Sequence, residues 1–269
     1  MNTDFPPAHV TTVRGADLAW TETGSGPPVV WAHGLTSSAL GQERFGMFDW
    51  SPISVSHRLI RYDARGHGLS TGSPAPEEYT WASLGRDLLG LLDVIVGTQQ
   101  VTGIGSSMGT ATLLHAATAE PERFDQLVLT TPPTAGRVRA EHVRTYLDGA
   151  DLIERSGLAA FEAASAAGAP PAILAGLGAP PPIAVSAALL PSILRGAAQT
   201  DLPDDGKLAM LDLPVLVLAW SGDPGHPLST ARRLTSVLPG AQLQIADSPS
   251  QLRQWPQVVS HFLESDSNL

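Results

Sequence analysis

The pentapeptide Gly105-Ser106-Ser107-Met108-Gly109 constrains this chain more than any other stretch. It directly follows the strand-like run Gln100-Val101-Thr102-Gly103-Ile104 and leads into an apolar, alanine-rich helical pattern. A G-x-S-x-G sequence between strand and helix makes a turn so tight that its flanking positions must be small, which accounts for Gly105 and Gly109. The bend lifts the Ser107 hydroxyl clear of the sheet at a helix N-terminus. Unpaired N–H groups and the helix dipole favour an anion there, such as the tetrahedral oxyanion of acyl transfer. Ser107 is therefore a candidate nucleophile, although the pentapeptide alone is equally compatible with a plain Gly/Ser connection.

The surroundings of the motif decide the fold class. Strand-like runs at Leu18–Thr23, Pro28–Ala32, Leu59–Asp63, Val101–Gly105 and Leu127–Thr131 alternate with helical patterns, and such alternation argues for a parallel sheet with crossover helices. The turn Gly24-Ser25-Gly26-Pro27 predicts that the first two runs open the sheet as an antiparallel hairpin. Leucines at 88, 89, 91 and 92 mark a helix over Asp87–Ile95 with one buried face. After Pro132 the composition changes: from about Arg137 to Thr200 the chain is dense in Ala, Pro and Gly and holds no strand run. This predicts a helical cap inserted at 134–200, with helices broken near Ala169-Pro170-Pro171 and Ala179-Pro180-Pro181-Pro182, between core segments 1–133 and 201–269. A Pro-rich linker without fixed structure is the competing reading. Strand character returns at Pro214–Trp220 and Gln242–Ala246, and a last helix follows Trp255-Pro256.

Composition narrows the partners. The 269 residues, 43% of them hydrophobic, are ample for a core of one α/β unit. With 26 Asp and Glu against 16 Lys and Arg, net charge −10, nucleic acid and anionic lipid are unexpected partners. No cysteine is present, which excludes disulfides, thiolate nucleophiles and Cys-ligated metals. The start Met1-Asn2-Thr3-Asp4-Phe5-Pro6-Pro7 lacks signal-peptide character, and no apolar stretch approaches a membrane span, so a cytoplasmic location is expected. No metal cluster, phosphate-cradling loop or dinucleotide fingerprint is visible, so no cofactor is expected; Gly103-Ile104-Gly105 is too little of one. The partner is a small-molecule substrate, apolar or amphipathic if the Ala- and Leu-rich insertion shapes its pocket. The sequence carries no sign of oligomeric state.

Taken together, the motifs resemble the α/β-hydrolase superfamily over essentially the whole chain. His33-Gly34-Leu35-Thr36 is similar to its oxyanion loop, and Asp63-Ala64-Arg65-Gly66-His67-Gly68-Leu69-Ser70 to the turn after its fourth strand. Pro121-Glu122-Arg123-Phe124 and Leu127-Val128-Leu129 continue the likeness. The resemblance implies an eight-stranded, mostly parallel sheet with helices on both faces and an inserted helical cap. It also implies an oxyanion hole made by the backbone N–H groups of Leu35 and Met108, with Gly34 allowing close approach of the substrate oxygen. His33, Asp63, Arg65 and His67 read as structural, a turn tied by charge-assisted hydrogen bonds. Asp223, in Ser221-Gly222-Asp223-Pro224-Gly225-His226-Pro227, matches the loop that carries the triad carboxylate, whose work is to hold the imidazole tautomer and stabilise the imidazolium. An aspartate that only shapes a turn before proline is the alternative.

The resemblance breaks at the base. In the family the histidine follows the last strand, but Ala246-Asp247-Ser248-Pro249-Ser250-Gln251-Leu252-Arg253-Gln254-Trp255-Pro256 contains none. Asp247 or Pro249 stands in its place. Proline cannot ionise, and a carboxylate of ordinary pKa, about 3.9, is too weak a base for a serine hydroxyl. Of the two downstream histidines, His261 falls between apolar positions of the last helix and reads as a surface or packing residue. His226, three residues beyond Asp223, is a candidate surrogate base, and a plain loop residue is the alternative. Three functions follow. The first is a hydrolase of small esters, lactones or thioesters with an atypical triad. The second is a non-hydrolytic cyclase, lyase or isomerase that holds an enolate in the oxyanion hole, with Asp247 as proton donor. The third is an inactive small-molecule-binding protein.

Overall fold

Short apolar runs supply eight strands in a computed structural model of the chain, which describes residues 8–167, 171–178, 180–223 and 225–265. The strands are β1 (His9–Val13), β2 (Ala16–Thr23), β3 (Pro28–Ala32), β4 (Arg58–Tyr62), β5 (Val101–Ser106), β6 (Phe124–Thr130), β7 (Val215–Trp220) and β8 (Ala241–Ala246). They form one sheet in the order β1-β2-β4-β3-β5-β6-β7-β8. Pairing is antiparallel at β1–β2 and β2–β4 and parallel from β4 onward. The helices are α1 (Ala39–Phe45), α2 (Trp81–Ile95), α3 (Met108–Ala119), α4 (Gly136–Ser156), α5 (Leu158–Ser165), α6 (Leu190–Ala198), α7 (Asp205–Leu208), α8 (Leu228–Val237), α9 (Pro249–Leu252) and α10 (Trp255–Ser265).

The pleat sorts the core into two layers because successive side chains in a strand point to opposite faces. Val30 and Ala32 of β3 join Ile60, Leu127 and Val217 beneath α2, α3 and α8. Their neighbours Val29 and Trp31 join Ile104, Val128 and Leu216 on the other face, against Phe48, Trp50 and, from α10, Val259 and Phe262. Helix α3 is buried nearly all round, which its small and apolar residues permit together with threonines whose hydroxyls bond to backbone carbonyls, and α2 packs across it. Burying both faces in this way explains why the central strands read as continuous hydrophobic runs.

The predicted hairpin lies elsewhere. Residues 18–23 and 28–32 do not pair with each other; β2 pairs with β1 and β4, and β3 with β4 and β5. The Gly24–Pro27 turn packs so closely on the 54–57 segment that a Cβ on Gly24 would lie 2.2 Å from the Ser54 carbonyl oxygen. The chain is carried across β4 there, and the hairpin is instead the β1–β2 pair, closed at Arg14-Gly15. Strand β1 gave no apolar signal, since only Val13 of its five residues is buried.

Between β6 and β7 the described residues contain α4, α5, α6 and α7 and no strand. Ala150 and Ile153 of α4 bury against Leu190, Ile193 and Leu194 of α6 and Tyr79 of the 76–79 turn, a cluster distinct from the sheet's two layers. Ala169, Pro170 and Ala179 of the predicted breaks, and Met1–Pro7, lie outside the described residues. No helix is long and apolar enough to cross a membrane among the described residues.

What positions the site is the passage from β5 into α3. A Cβ on Gly109 would stand 2.0 Å from the Ala32 carbonyl oxygen, and one on Gly105 would stand 2.6 Å from the Gly109 backbone. Both obstacles are main chain, of β3 and of α3 respectively, which cannot swing aside. Gly109→Ala is therefore expected to lower the unfolding free energy by about 3 kcal/mol or more. Denaturant titration measures this, and a variant as stable as wild type would show that helix and strand are not in contact there.

Candidate active site

Ser107 stands between the end of β5 and the start of α3 with φ 52° and ψ −109°, a backbone conformation unusual for any residue but glycine. It occupies the N-cap position of α3, yet its side chain makes no capping bond to that helix. The Ser107 N–H donates to the Thr130 carbonyl at 3.1 Å, tying the turn to β6. The hydroxyl thus projects away from the helix, and Ser107 Oγ stands 2.8 Å from His226 Nε2.

His226 is held by a loop that closes on itself. Its Nδ1 lies 2.7 Å from Asp223 Oδ2, while Asp223 Oδ1 accepts the N–H groups of Gly225 at 2.9 Å and His226 at 3.1 Å. These last two bonds form an Asx-type turn, the short-range habit of aspartate in loops. Burial pushes the Asp223 carboxyl up, but the His226 side chain and charge together with the two backbone donors outweigh it and hold it below the ordinary carboxylate value. An ionised Asp223 fixes the hydrogen on Nδ1 and leaves Nε2 free to accept from Ser107.

The loop after β3 flanks the serine. A Cβ on Gly34 would lie 3.6 Å from Ser107 Cβ, and the Gly34 N–H donates to Gln42 Oε1 at 3.0 Å. Leu35 lines the same cavity as Ser107, and the Met108 side chain is buried beneath α3. Neither the Leu35 nor the Met108 N–H takes part in a turn or loop hydrogen bond among the described residues. The next residue, Thr36, has φ 62°, costly for a β-branched side chain, and its carbonyl accepts from the Ala184 N–H at 2.8 Å.

The cavity over Ser107 measures ≈390 Å³, and besides residues already named Phe48, Thr131, His142, Tyr146 and Trp220 line it. A larger one of ≈510 Å³, bordered by Trp20, Arg61, Asp63 and Ile183, contains neither Ser107 nor His226. His142 and Tyr146 escaped sequence reading, although with Arg139 they recur at helical spacing along α4; Gln42 left no signal in the sequence at all.

Other sequence candidates stand apart from the serine. Asp247 is exposed just after β8, and its N–H donates to Gln251 Oε1 at 2.7 Å. His261 is on the exposed side of α10. His33 is buried, with Nδ1 2.8 Å from the Gly34 carbonyl and Nε2 accepting the Ala64 N–H at 3.0 Å, so it braces the loop as the neutral Nδ1–H tautomer. Burial pushes its imidazole down to about 4, against the opposing pull of Gly34. His67, whose Nδ1 donates to the Arg65 carbonyl at 2.9 Å, is pushed down to about 3 by burial and by His33. Arg65 grips Asp87 through Nε at 2.7 Å and Nη2 at 2.9 Å, and Asp63 accepts the N–H groups of Ala39 and Leu69. Among the described residues no group of three or more potential ligands could hold a metal ion.

Comparison with known proteins agrees with this architecture. Residues 27–150 match the model of the alpha/beta hydrolase fold family. Over 225 residues the chain is 30% identical to the putative carbamate hydrolase RutD of Caulobacter sp. (strain K31), covering 79% of this chain and 81% of that protein. It is 28% identical over 253 residues to the 3-oxoadipate enol-lactonase 2 of Acinetobacter baylyi, covering 89% and 88%. Shorter matches, to thioesterases and epoxide hydrolases, cover 32 to 39% of those proteins' own length. Among solved structures, a thermophilic esterase from Thermogutta terrifontis superposes with a TM-score of 0.74 at 20% identity over 98% of each chain.

The two buried histidines generate a pH dependence. Their folded values lie below the 6.5 of an unfolded chain, so between pH 6.5 and about 4 the unfolded state binds protons that the native state refuses. Stability is complete above 6.5 and falls with pH through that window, by roughly 1 kcal/mol per pH unit for each histidine. His67→Asn, which keeps a donor for the Arg65 carbonyl, is expected to flatten the slope of unfolding free energy against pH. An unchanged slope would mean that His67 does not refuse the proton.

Proposed function

The chain belongs to the α/β-hydrolase fold family, and from that premise we propose that it hydrolyses small carboxylic esters, lactones or thioesters with Ser107 as nucleophile, His226 as base and Asp223 as orienting carboxylate. The observation that carries this reading is the unbroken hydrogen-bonded series from Ser107 Oγ through His226 to Asp223. A base has to lie within about 3 Å of the proton it removes, and His226 Nε2 meets that requirement.

In the proposed reaction Ser107 Oγ attacks the substrate carbonyl carbon while its proton passes to His226 Nε2. The carbonyl π electrons move to oxygen, and the Leu35 and Met108 N–H groups receive that oxyanion. Collapse re-forms the carbonyl and breaks the bond to the alcohol or thiol, which leaves with the proton from His226. Water then attacks the acyl-enzyme by the same steps, giving its proton to His226, and Ser107 recovers one as the acid departs. Asp223 stays ionised throughout and stabilises the imidazolium. The helices that follow β6 form the cap of this scheme, closing over the acyl group and limiting it to small molecules. The carbamate hydrolase and enol-lactonase named among the relatives are consistent with carbonyl substrates of this size.

Enolate chemistry without hydrolysis gains its appeal from a missing base. The placement of His226 supports hydrolysis over it, and Asp247 is exposed and does not line the cavity that contains Ser107.

With 4-nitrophenyl butyrate as substrate, Ser107→Ala and His226→Ala are each expected to lower kcat by about 10⁴-fold or more. Asp223→Asn should cost about 10³- to 10⁴-fold by favouring the wrong tautomer. Asp247→Asn and His261→Asn should stay within about twofold of wild type, since neither side chain reaches the reacting atoms. Full ester hydrolysis by His226→Ala would refute the assignment of the base.

A further inference from the structure

Helix α4 turns three polar side chains, Arg139, His142 and Tyr146, toward the interior at helical spacing. Arg139 is only 2% exposed. Its Nε donates to the Thr200 carbonyl at 3.0 Å, its Nη2 to the Ala197 carbonyl, and its Nη1 to Tyr146 Oη at 3.2 Å. The guanidinium lies 4.0 Å from the centre of the Trp81 ring and 4.9 Å from that of Tyr146. Every one of these partners is neutral, and no carboxylate among the described residues forms an ion pair with Arg139. Buried charges are ordinarily paired, because desolvating a lone one is expensive. The other buried arginines each face a carboxylate: Arg61 has Glu43, Arg65 has Asp87 and Arg123 has Asp93.

Tyr146 connects this charge to the cavity. Its oxygen accepts from Arg139, so its own O–H must find an acceptor elsewhere, and no protein acceptor is present among the described residues. The same side chain lines the cavity that contains Ser107 and His226. A phenol whose oxygen receives a charged donor becomes a stronger donor itself. His142 stands beside it, its ring edge-on at 5.5 Å, and borders the same space.

We infer that the cavity takes esters or lactones bearing a carboxylate remote from the scissile carbonyl, which accepts the Tyr146 O–H with the Arg139 charge behind it. The inference rests on the hydrolase reading for its scissile bond, but the carboxylate site is defined without Ser107. Tyr146 is then the specificity-determining residue and Arg139 the positioning residue that acts through it. With a net charge of −10 the chain as a whole repels such a substrate, so selectivity has to come from this local arrangement.

Two 4-nitrophenyl esters of equal acyl length, the neutral pentanoate and the mono-ester of glutaric acid, test the idea. Wild type is expected to favour the glutarate ester in kcat/KM by about tenfold or more, and in Tyr146→Phe the glutarate-to-pentanoate ratio of kcat/KM should fall by about tenfold to a hundredfold, chiefly through KM for the glutarate ester. Circular dichroism and thermal unfolding certify that the variant is folded. A wild-type preference for the pentanoate, or equal losses on both esters, overturns the inference. Should Tyr146→Phe fail to fold, free glutarate takes its place: competitive inhibition of wild-type pentanoate hydrolysis by glutarate but not by its diamide supports the site, and equal or absent inhibition overturns it. If wild type hydrolyses neither ester, the Ser107 reading fails by itself. Calorimetric binding of glutarate to wild type then decides for the carboxylate site, and no binding decides against it.

Discussion

Everything at the site depends on how closely one helix is allowed to approach one strand. The first turn of α3 lies against the end of β3 with no room for a side chain at Gly109, and Gly105 meets that same turn from below. This main-chain contact fixes where β5 must bend, and the bend imposes the positive φ of Ser107. An ordinary serine at an N-cap would turn its oxygen back onto the helix. Held in this conformation, Ser107 makes no such bond, and its hydroxyl remains available to His226. In the proposed reaction strain and reactivity share one origin, with the two-layered core holding the strained turn in place.

The proposed base and its orienting carboxylate are joined by a different principle. In the usual arrangement of this family they sit on loops after two different strands, and the sheet sets their separation. Here only two residues, Pro224 and Gly225, separate Asp223 from His226, and backbone N–H groups hold the carboxylate together with the imidazole. The pairing is a local turn, needing only β7 to aim it. Long-range architecture enters through the 2.8 Å contact between residues 119 positions apart.

That difference explains what could be read in advance. The central strands were legible because burial on both faces makes them short, continuous apolar runs, and Ser107 was legible because main-chain crowding dictates its glycine neighbours. Strand β1 was not, since a half-exposed edge strand has little need of apolar residues, and the antiparallel hairpin was assigned to the Gly24–Pro27 turn in its place. His226 was visible as a histidine near an aspartate, but whether it faced the serine depends on the path of a loop, which no periodicity encodes. Asp247 drew attention by occupying a familiar position; the structure leaves it in solvent. Arg139, His142 and Tyr146 lie in a segment whose alanine, proline and glycine content pointed to a cap over the pocket but singled out none of its polar side chains.

Placing acid and base together has a consequence for the outer rim of the sheet. Strand β8 is the last strand, its outward edge unpaired and its side chains alternating between half-buried and exposed. Edge elements of this kind open first in local unfolding. A base hung beyond β8 would be displaced by every such excursion. With Asp223 and His226 both rooted on β7, the rim can fray and re-form, or accept insertions and deletions, while the proposed base keeps its register with Ser107.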